Sequence, residues 1–199
     1  ASVRTSGAQT YGDAVTLGAN SVVLTSTGGG NVWFKSTVDS AGGARALTVN
    51  TAGSTIFDQA VGDTLVLACL ATDGPGSLQT NAVRGATNGA SVRTSGAQTY
   101  DTAVVLGADR VLSGSDITFA STIDGSHALS VNASGTTTFA GEVGGGATLT
   151  SLTTDAGGGT TLGGNVTTSA AQTYNDAVTL GTNATLTSTG SGAIRFGST

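Results

Sequence analysis

The ten residues SVRTSGAQTY occupy Ser2 to Tyr11 and stand again, unchanged, at Ser91 to Tyr100. A third, shorter echo, SAAQTYNDAVTLG, begins at Ser169 and matches GAQTYGDAVTLG from Gly7 to Gly18 with few changes. The AQTY element therefore falls at Ala8, Ala97 and Ala171, and these unequal steps require shorter units nested inside the long one.

The shorter unit shows as one large residue, three mostly small or polar residues, then Val or Ile. It reads Tyr11/Val15, Phe34/Val38, Phe57/Val61, Tyr100/Val104, Phe119/Ile123, Phe139/Val143, Leu162/Val166 and Tyr174/Val178, and Phe196 opens one more. Most neighbours are 19 to 23 residues apart. Two intervals break the rule. The gap from Phe57 to Tyr100 holds a degenerate member near Leu78, and the step from Leu162 to Tyr174 is only 12 residues, which implies a shortened unit or a slipped register.

Composition narrows the class. Charged residues are 10% of the chain against an ordinary value of roughly 25%, and Pro75 is the only proline. Val, Leu, Ile and aromatics nevertheless recur regularly, which excludes a disordered chain. Gly, Thr, Val and Asn are poor helix formers and no segment sustains a 3.6-residue apolar stripe, so helices are excluded too. The seven basic residues form no cluster and the net charge is −5, which argues against nucleic acid as a partner. No 18-residue apolar run exists to span a membrane as a helix. The opening ASVRTSG lacks the regions of a signal peptide, and the chain starts and stops inside repeats, so a segment of a longer array is expected.

Residues 8–28, AQTYGDAVTLGANSVVLTSTG, read as three strands of four or five residues, alternating apolar with Thr or Ser and separated by Gly, Asn or Asp turns. Three such strands fill one coil of about 20 to 23 residues. The expected fold is all-β, a single-stranded parallel β-helix (β-solenoid) running through 1–199 as one continuous segment. Long repeats start near residues 2, 91 and 169, and an irregular coil or loop is expected near 73–89. About nine coils at a strand spacing of about 4.8 Å give a rod on the order of 40 Å long. The core is expected to hold one aromatic ladder, Tyr11, Phe34, Phe57, Tyr100, Phe119, Phe139 and Tyr174. A second ladder consists of Val15, Val38, Val61, Val104, Ile123, Val143 and Val178. Ala14, Ala60, Ala103 and Ala177 are assigned to narrow parts of the interior.

Residues able to carry chemistry are few, and no cofactor, metal or catalytic site is assigned. His127, the one histidine, lies at a predicted turn beside Asp124. Asp13, Asp58 and Asp176 recur at related places, as turn or edge residues do, whereas a catalytic carboxylate pair occurs once in a distinctive context. Cys69 in TLVLACLA is expected as a buried free thiol. Of Trp33 and Phe34, adjacent in one strand, one must face outward, where an indole could stack on a sugar. The TTT run at Thr136 to Thr138 raises an ice-binding threonine array, which requires Thr at the same two positions in successive coils.

The segments SGAQTYGDAVTLGA, FASTIDGSHALSVNASGTTTFAGEVGG and TTDAGGGTTLGGNVTTSAAQTYNDAVTLG resemble the repeats of filamentous-haemagglutinin-like giant bacterial surface adhesins, the exoproteins of two-partner secretion. The resemblance covers nearly the whole chain and weakens between Asp73 and Gly89. It implies a right-handed winding, secretion to the bacterial cell surface, and a non-enzymatic structural shaft serving attachment or biofilm cohesion. The partners it implies are a host-surface or matrix polysaccharide or protein and the flanking repeats of the same chain. Unpaired coil edges add end-to-end self-association. The competing reading is a carbohydrate-binding or carbohydrate-processing β-helix module, marked by an outward aromatic and acidic groove.

Overall fold

The computed structural model describes residues 1–74, 76–81 and 91–198. Among these residues, twenty-five strands of two to six residues wind into a parallel β-solenoid with three faces. The first face is one nine-stranded sheet from Ser2–Thr5 to Ala177–Leu180, so the chain completes nine coils. The second runs from Gln9–Tyr11 through six strands to Ile123–Asp124, then over the bridges Ile123–Val143–Val166 to Leu186–Ser188. The third starts at Val15–Leu17 and Val38–Ser40, crosses the bridges Val38–Val61–Val92 and ends at Ile194–Phe196. Each strand is too short to bury its own edges, and its backbone groups are satisfied only by the coils above and below.

Coil length varies more widely than the expected 20 to 23 residues. Aligned positions on the first face advance by 18 residues from Thr161 to Thr179 and by 28 from Ala71 to Thr99. Strand register is held by the inward side chains, so the number of residues from one coil to the next is free to vary.

The aromatic ladder is not one column but three. Tyr11, Phe34 and Phe57 stack on the second face with centroids 5.0 and 4.9 Å apart. Tyr100, Phe119 and Phe139 stack on the first face at 5.1 and 5.3 Å, and Leu162 continues them. Tyr174 stacks with Phe196 on the third face at 5.3 Å. The aliphatic set divides likewise. Val15, Val38 and Val61 pair along the third face and lead to Val92, while Val104, Ile123 and Val143 pair along the second and lead to Val166. Val178 sits on the first face against Thr160. Tyr11, Val15 and Val178, in the terminal coils, are half-buried, and the other assigned ladder residues are buried.

The reason for the split is that the spacing of aromatic, three residues, valine is a corner. The ring closes one face and the valine opens the next, whichever two faces they are. The TSxAQTY module (Thr5 to Tyr11, Thr94 to Tyr100, Thr168 to Tyr174) makes this explicit, since its QTY strand lies on the second, first and third face in turn. Successive copies are eleven strand positions apart, and eleven is not a multiple of three, so every copy lands one face away from the last. The short step from Leu162 to Tyr174 is two faces of an ordinary coil, not a slip.

Three local expectations change. Ser77–Asn81, placed in the irregular stretch, is a strand paired on both sides with Ser54–Phe57 and Ala103–Gly107; position 75 and residues 82–90 lie outside the described residues. Cys69 is half-buried rather than buried, because a corner between Leu67 and Leu70 breaks the alternation and turns Leu70 inward instead. Ala14 and Ala177 are exposed and Ala60 and Ala103 half-buried, each standing just before the valine or leucine strand that turns inward.

Candidate functional site

A recurring polar feature lies inside the solenoid. In each TSxAQTY copy the Gln side chain points into the core and its amide is engaged at both ends. Gln98 Nε2 donates to Thr94 Oγ1 at 3.3 Å and to Ser113 O at 2.9 Å, and Tyr100 Oη donates to Gln98 Oε1 at 2.7 Å. Gln9 and Gln172 repeat the set with Thr5, Tyr11 and Thr25 O, and with Thr168, Tyr174 and Thr187 O. Such a closed network fixes a corner, and it leaves little capacity for a ligand. The sequence reading used this module as a marker of repetition and missed its chemistry; three identical Thr–Gln–Tyr spacings were the available signal.

Most acids outside the core staple one coil to the next. Asp39 Oδ1 accepts from the backbone N–H of Thr64 and Leu65, and Asp124 Oδ1 from Gly146 and Ala147. These two turns are copies on different faces, each with a glycine at positive φ, Gly62 and Gly144, where a Cβ would come within 2.2 Å of a carbonyl oxygen. Asp109, Asp116 and Asp155 cap Ala128, Thr136 and Ala133 in the same manner.

Asp13, Asp58 and Asp176 do not share one role. Asp13 is exposed, Asp58 is buried and accepts from the Trp33 indole at 2.8 Å, and Asp176 is 2% exposed, receiving hydroxyl protons from Thr154 and Thr160 at 2.9 Å. His127 is partly exposed and faces Asp109 at 3.6 Å rather than Asp124, whose Oδ1 is taken by backbone amides. Arg110 faces inward on the third face, and burial pushes its guanidinium down to about 10 against the opposing pull of Asp109. No group of three or more His, Cys, Asp or Glu able to hold a metal occurs among the described residues. No helix among them is long and apolar enough to cross a membrane.

Two lateral features remain. Phe34 is inward and Trp33 outward and half-buried, in register with Thr10 and Ile56, with Lys35 Nζ 4.4 Å from its ring centroid. On the first face Thr99, Thr118, Thr138, Thr161 and Thr179 form an outward file over five coils. The neighbouring file reads Thr136, Gly159, Ala177, so the double row an ice-binding face requires is not built there.

Two cavities lie at the ends of the stack. One, about 360 Å³, is lined by residues including Val3, Tyr11, Val15 and Leu24; the other, about 330 Å³, by Val178, Leu180, Leu186 and Phe196. Compared with family models, curated proteins and solved structures, the chain matches none.

Proposed function

We propose that this chain is a structural shaft segment of a secreted bacterial surface adhesin, non-enzymatic, holding apart or displaying whatever makes the attachment. The observation that carries the reading is the use of the chain's polar groups. The Gln and Thr of each module close corners, and Asp39, Asp109, Asp116, Asp124 and Asp155 are occupied with the backbone of the adjoining coil. Chemistry spent on stacking is what a shaft requires. The repeat texture supports the adhesin class and export to the cell surface.

The competing reading, a carbohydrate-binding module, has one specific observation in its favour: the outward Trp33 with Lys35 over its ring and Asp58 on its N–H. The two are separated by titrating the chain with neutral and sulfated polysaccharides and, in parallel, scoring attachment of cells that display an adhesin with and without this segment. The shaft reading expects no saturable binding by the segment and attachment that depends on its length. Saturable binding abolished by Trp33→Ala, with folding intact, would replace it by the carbohydrate reading.

A further inference from the structure

We propose that the corner between the third and first faces at Asp176 binds one monovalent cation, sodium, inside the solenoid, through Asp176 and the hydroxyls of Thr154, Thr160 and Thr137. The site goes beyond the shaft reading and does not depend on it.

Three coils build the corner. Tyr174 and Val178 flank Asp176, and Thr154 and Thr160 lie in register with them, one coil down. Between those threonines the chain runs DAGGG, where Ala156 is exposed and Gly157 to Gly159 bring no side chain to the interior. Asp176 reaches into that gap. Its Oδ1 stands 2.9 Å from Thr154 Oγ1 and from Thr160 Oγ1, and its Oδ2 stands 2.9 Å from Thr160 Oγ1. In the next coil Val131 and Thr137 lie in register with Thr154 and Thr160, and the buried residue between them is Ala133, a single methyl group.

Charge is what these side chains leave unbalanced. Asp176 is 2% exposed, and Thr137, Thr154 and Thr160 are buried around it. Two hydroxyl protons face a carboxylate able to accept roughly four hydrogen bonds. No ion pair joins Asp176 to a basic side chain among the described residues. A carboxylate taken out of water holds its charge only against a compensating cation or a full set of donors.

Thr137 is an independent sign of a ligand. Its Oγ1 is buried with no hydrogen-bond partner among the described residues, yet it stands inward one rung from the Thr160 that touches Asp176. An orphaned buried hydroxyl is uncommon in a folded chain. A cation seated between Asp176 and Thr137 gives that oxygen its partner. Thr154 and Thr160 can donate to the carboxylate and offer lone pairs to the ion at once.

The donor set fixes the valence. One carboxylate balances one positive charge, whereas calcium gathers six to eight oxygens, commonly from several carboxylates. The close approach of the oxygens, 2.9 Å at three contacts, favours sodium over the larger potassium. In the other two modules the place of Asp176 is taken by neutral Thr102 and by exposed Asp13, so only this copy buries a carboxylate at the corner.

The test is thermal unfolding of the whole chain in sodium, potassium and choline chloride at equal ionic strength. Sodium at about ten times its Kd should raise the midpoint by about 3 to 6 °C over choline, and potassium by less. Sodium-23 relaxation should show saturable binding of one ion per chain. Asp176→Asn should unfold at the same midpoint in all three salts. Thr137→Val removes a hydroxyl that bonds to nothing in the protein, so it should keep the wild-type circular dichroism and lose most of the sodium increment. Should Asp176→Asn fail to fold, Thr137→Val decides alone. Equal wild-type midpoints in the three salts would overturn the proposal, as would a sodium increment that survives Asp176→Asn or is untouched by Thr137→Val.

Discussion

Tyr100 Oη donates a 2.7 Å hydrogen bond to Oε1 of Gln98, two residues back on the same strand, with both side chains turned into the core. Neither could stand there alone, because an unpaired buried amide or phenol costs more than the packing it adds. Together with Thr94 they form a polar corner in an otherwise apolar interior, and the chain builds it three times.

Removing one member should therefore cost more than its bond is worth. Gln98→Leu leaves Tyr100 Oη and Thr94 Oγ1 short of a partner and should lower stability by about 1 to 3 kcal/mol, whereas Tyr100→Phe should cost about 1 kcal/mol. The double variant should cost less than the sum, since the phenol has already lost its acceptor. Urea titration of the four proteins measures the coupling, and strict additivity would break the network account.

Burial holds the phenols of Tyr100 and Tyr174 well above the ordinary tyrosine range and raises that of the half-buried Tyr11 as well. A folded-state pKa above the unfolded value means that the native chain keeps a proton the unfolded chain has released. That contribution is complete below the unfolded pKa and disappears as pH rises beyond it. Stability should thus be level toward pH about 10 and fall above it, with near-ultraviolet tyrosinate absorbance appearing together with unfolding. Tyr100→Phe should flatten the alkaline decline.

The fold class was readable because Val, Tyr, Phe and Leu recur at intervals that only stacked short strands satisfy. Face assignment was not readable. A residue pattern such as Phe139, three residues, Val143 encodes a corner, and nothing in it says which corner of the triangle. Counting aromatics therefore merged Tyr11, Tyr100 and Tyr174 into one ladder, although the eleven-position repeat sends them to three faces. Cys69 and the alanines failed for a related reason, since period-two alternation restarts at every corner. The individual roles of Asp58 and Asp176 depend on partners from neighbouring coils, Trp33 in one case and Thr154 and Thr160 in the other, and spacing along the chain does not specify them.

The Asp176 site can be set against its own internal counterpart. Thr154 underlies Tyr174 as Thr72 underlies Tyr100, and where Asp176 stands in one copy Thr102 stands in the other. Thr154 Oγ1 reaches Asp176, but Thr72 Oγ1 is buried with no hydrogen-bond partner among the described residues. Asp176→Val should cost about 1 to 3 kcal/mol for each hydroxyl it orphans, while Thr72→Val should be neutral or stabilising. Thermal unfolding of both variants tests the contrast; equal losses would contradict it.

Phe119 lies between Tyr100 and Phe139 and is 1% exposed, so Phe119→Ala removes the middle ring of a stack. The expected loss is about 3 to 5 kcal/mol. His127→Ala, at a partly exposed position facing a largely exposed Asp109, should cost less than about 1 kcal/mol. Urea midpoints decide. A silent Phe119→Ala would mean the ring stack is not what holds these coils.

Excising one whole coil should be tolerated where excising half of one is not. Thr118 pairs with Thr138 and Phe119 with Phe139, so removing residues 120–139 joins Phe119 to Ala140 with the same corner ahead of it. Phe119 then packs on Leu162, the former partner of Phe139, and Val104 comes to rest on Val143. Every column loses one member and none changes face. In a quasi-one-dimensional stack the loss should be roughly one coil's share of the total stability, with a cooperative transition retained. Removing residues 123–132 instead carries away the Ile123–Asp124 strand and most of Ala128–Ala133, so every later strand must shift to another face or leave its partner unpaired. That variant should lose far more stability than its ten residues contribute, and its unfolding should broaden or begin before heating. Comparable stability for the two deletions would show that the coil is not the unit of this fold.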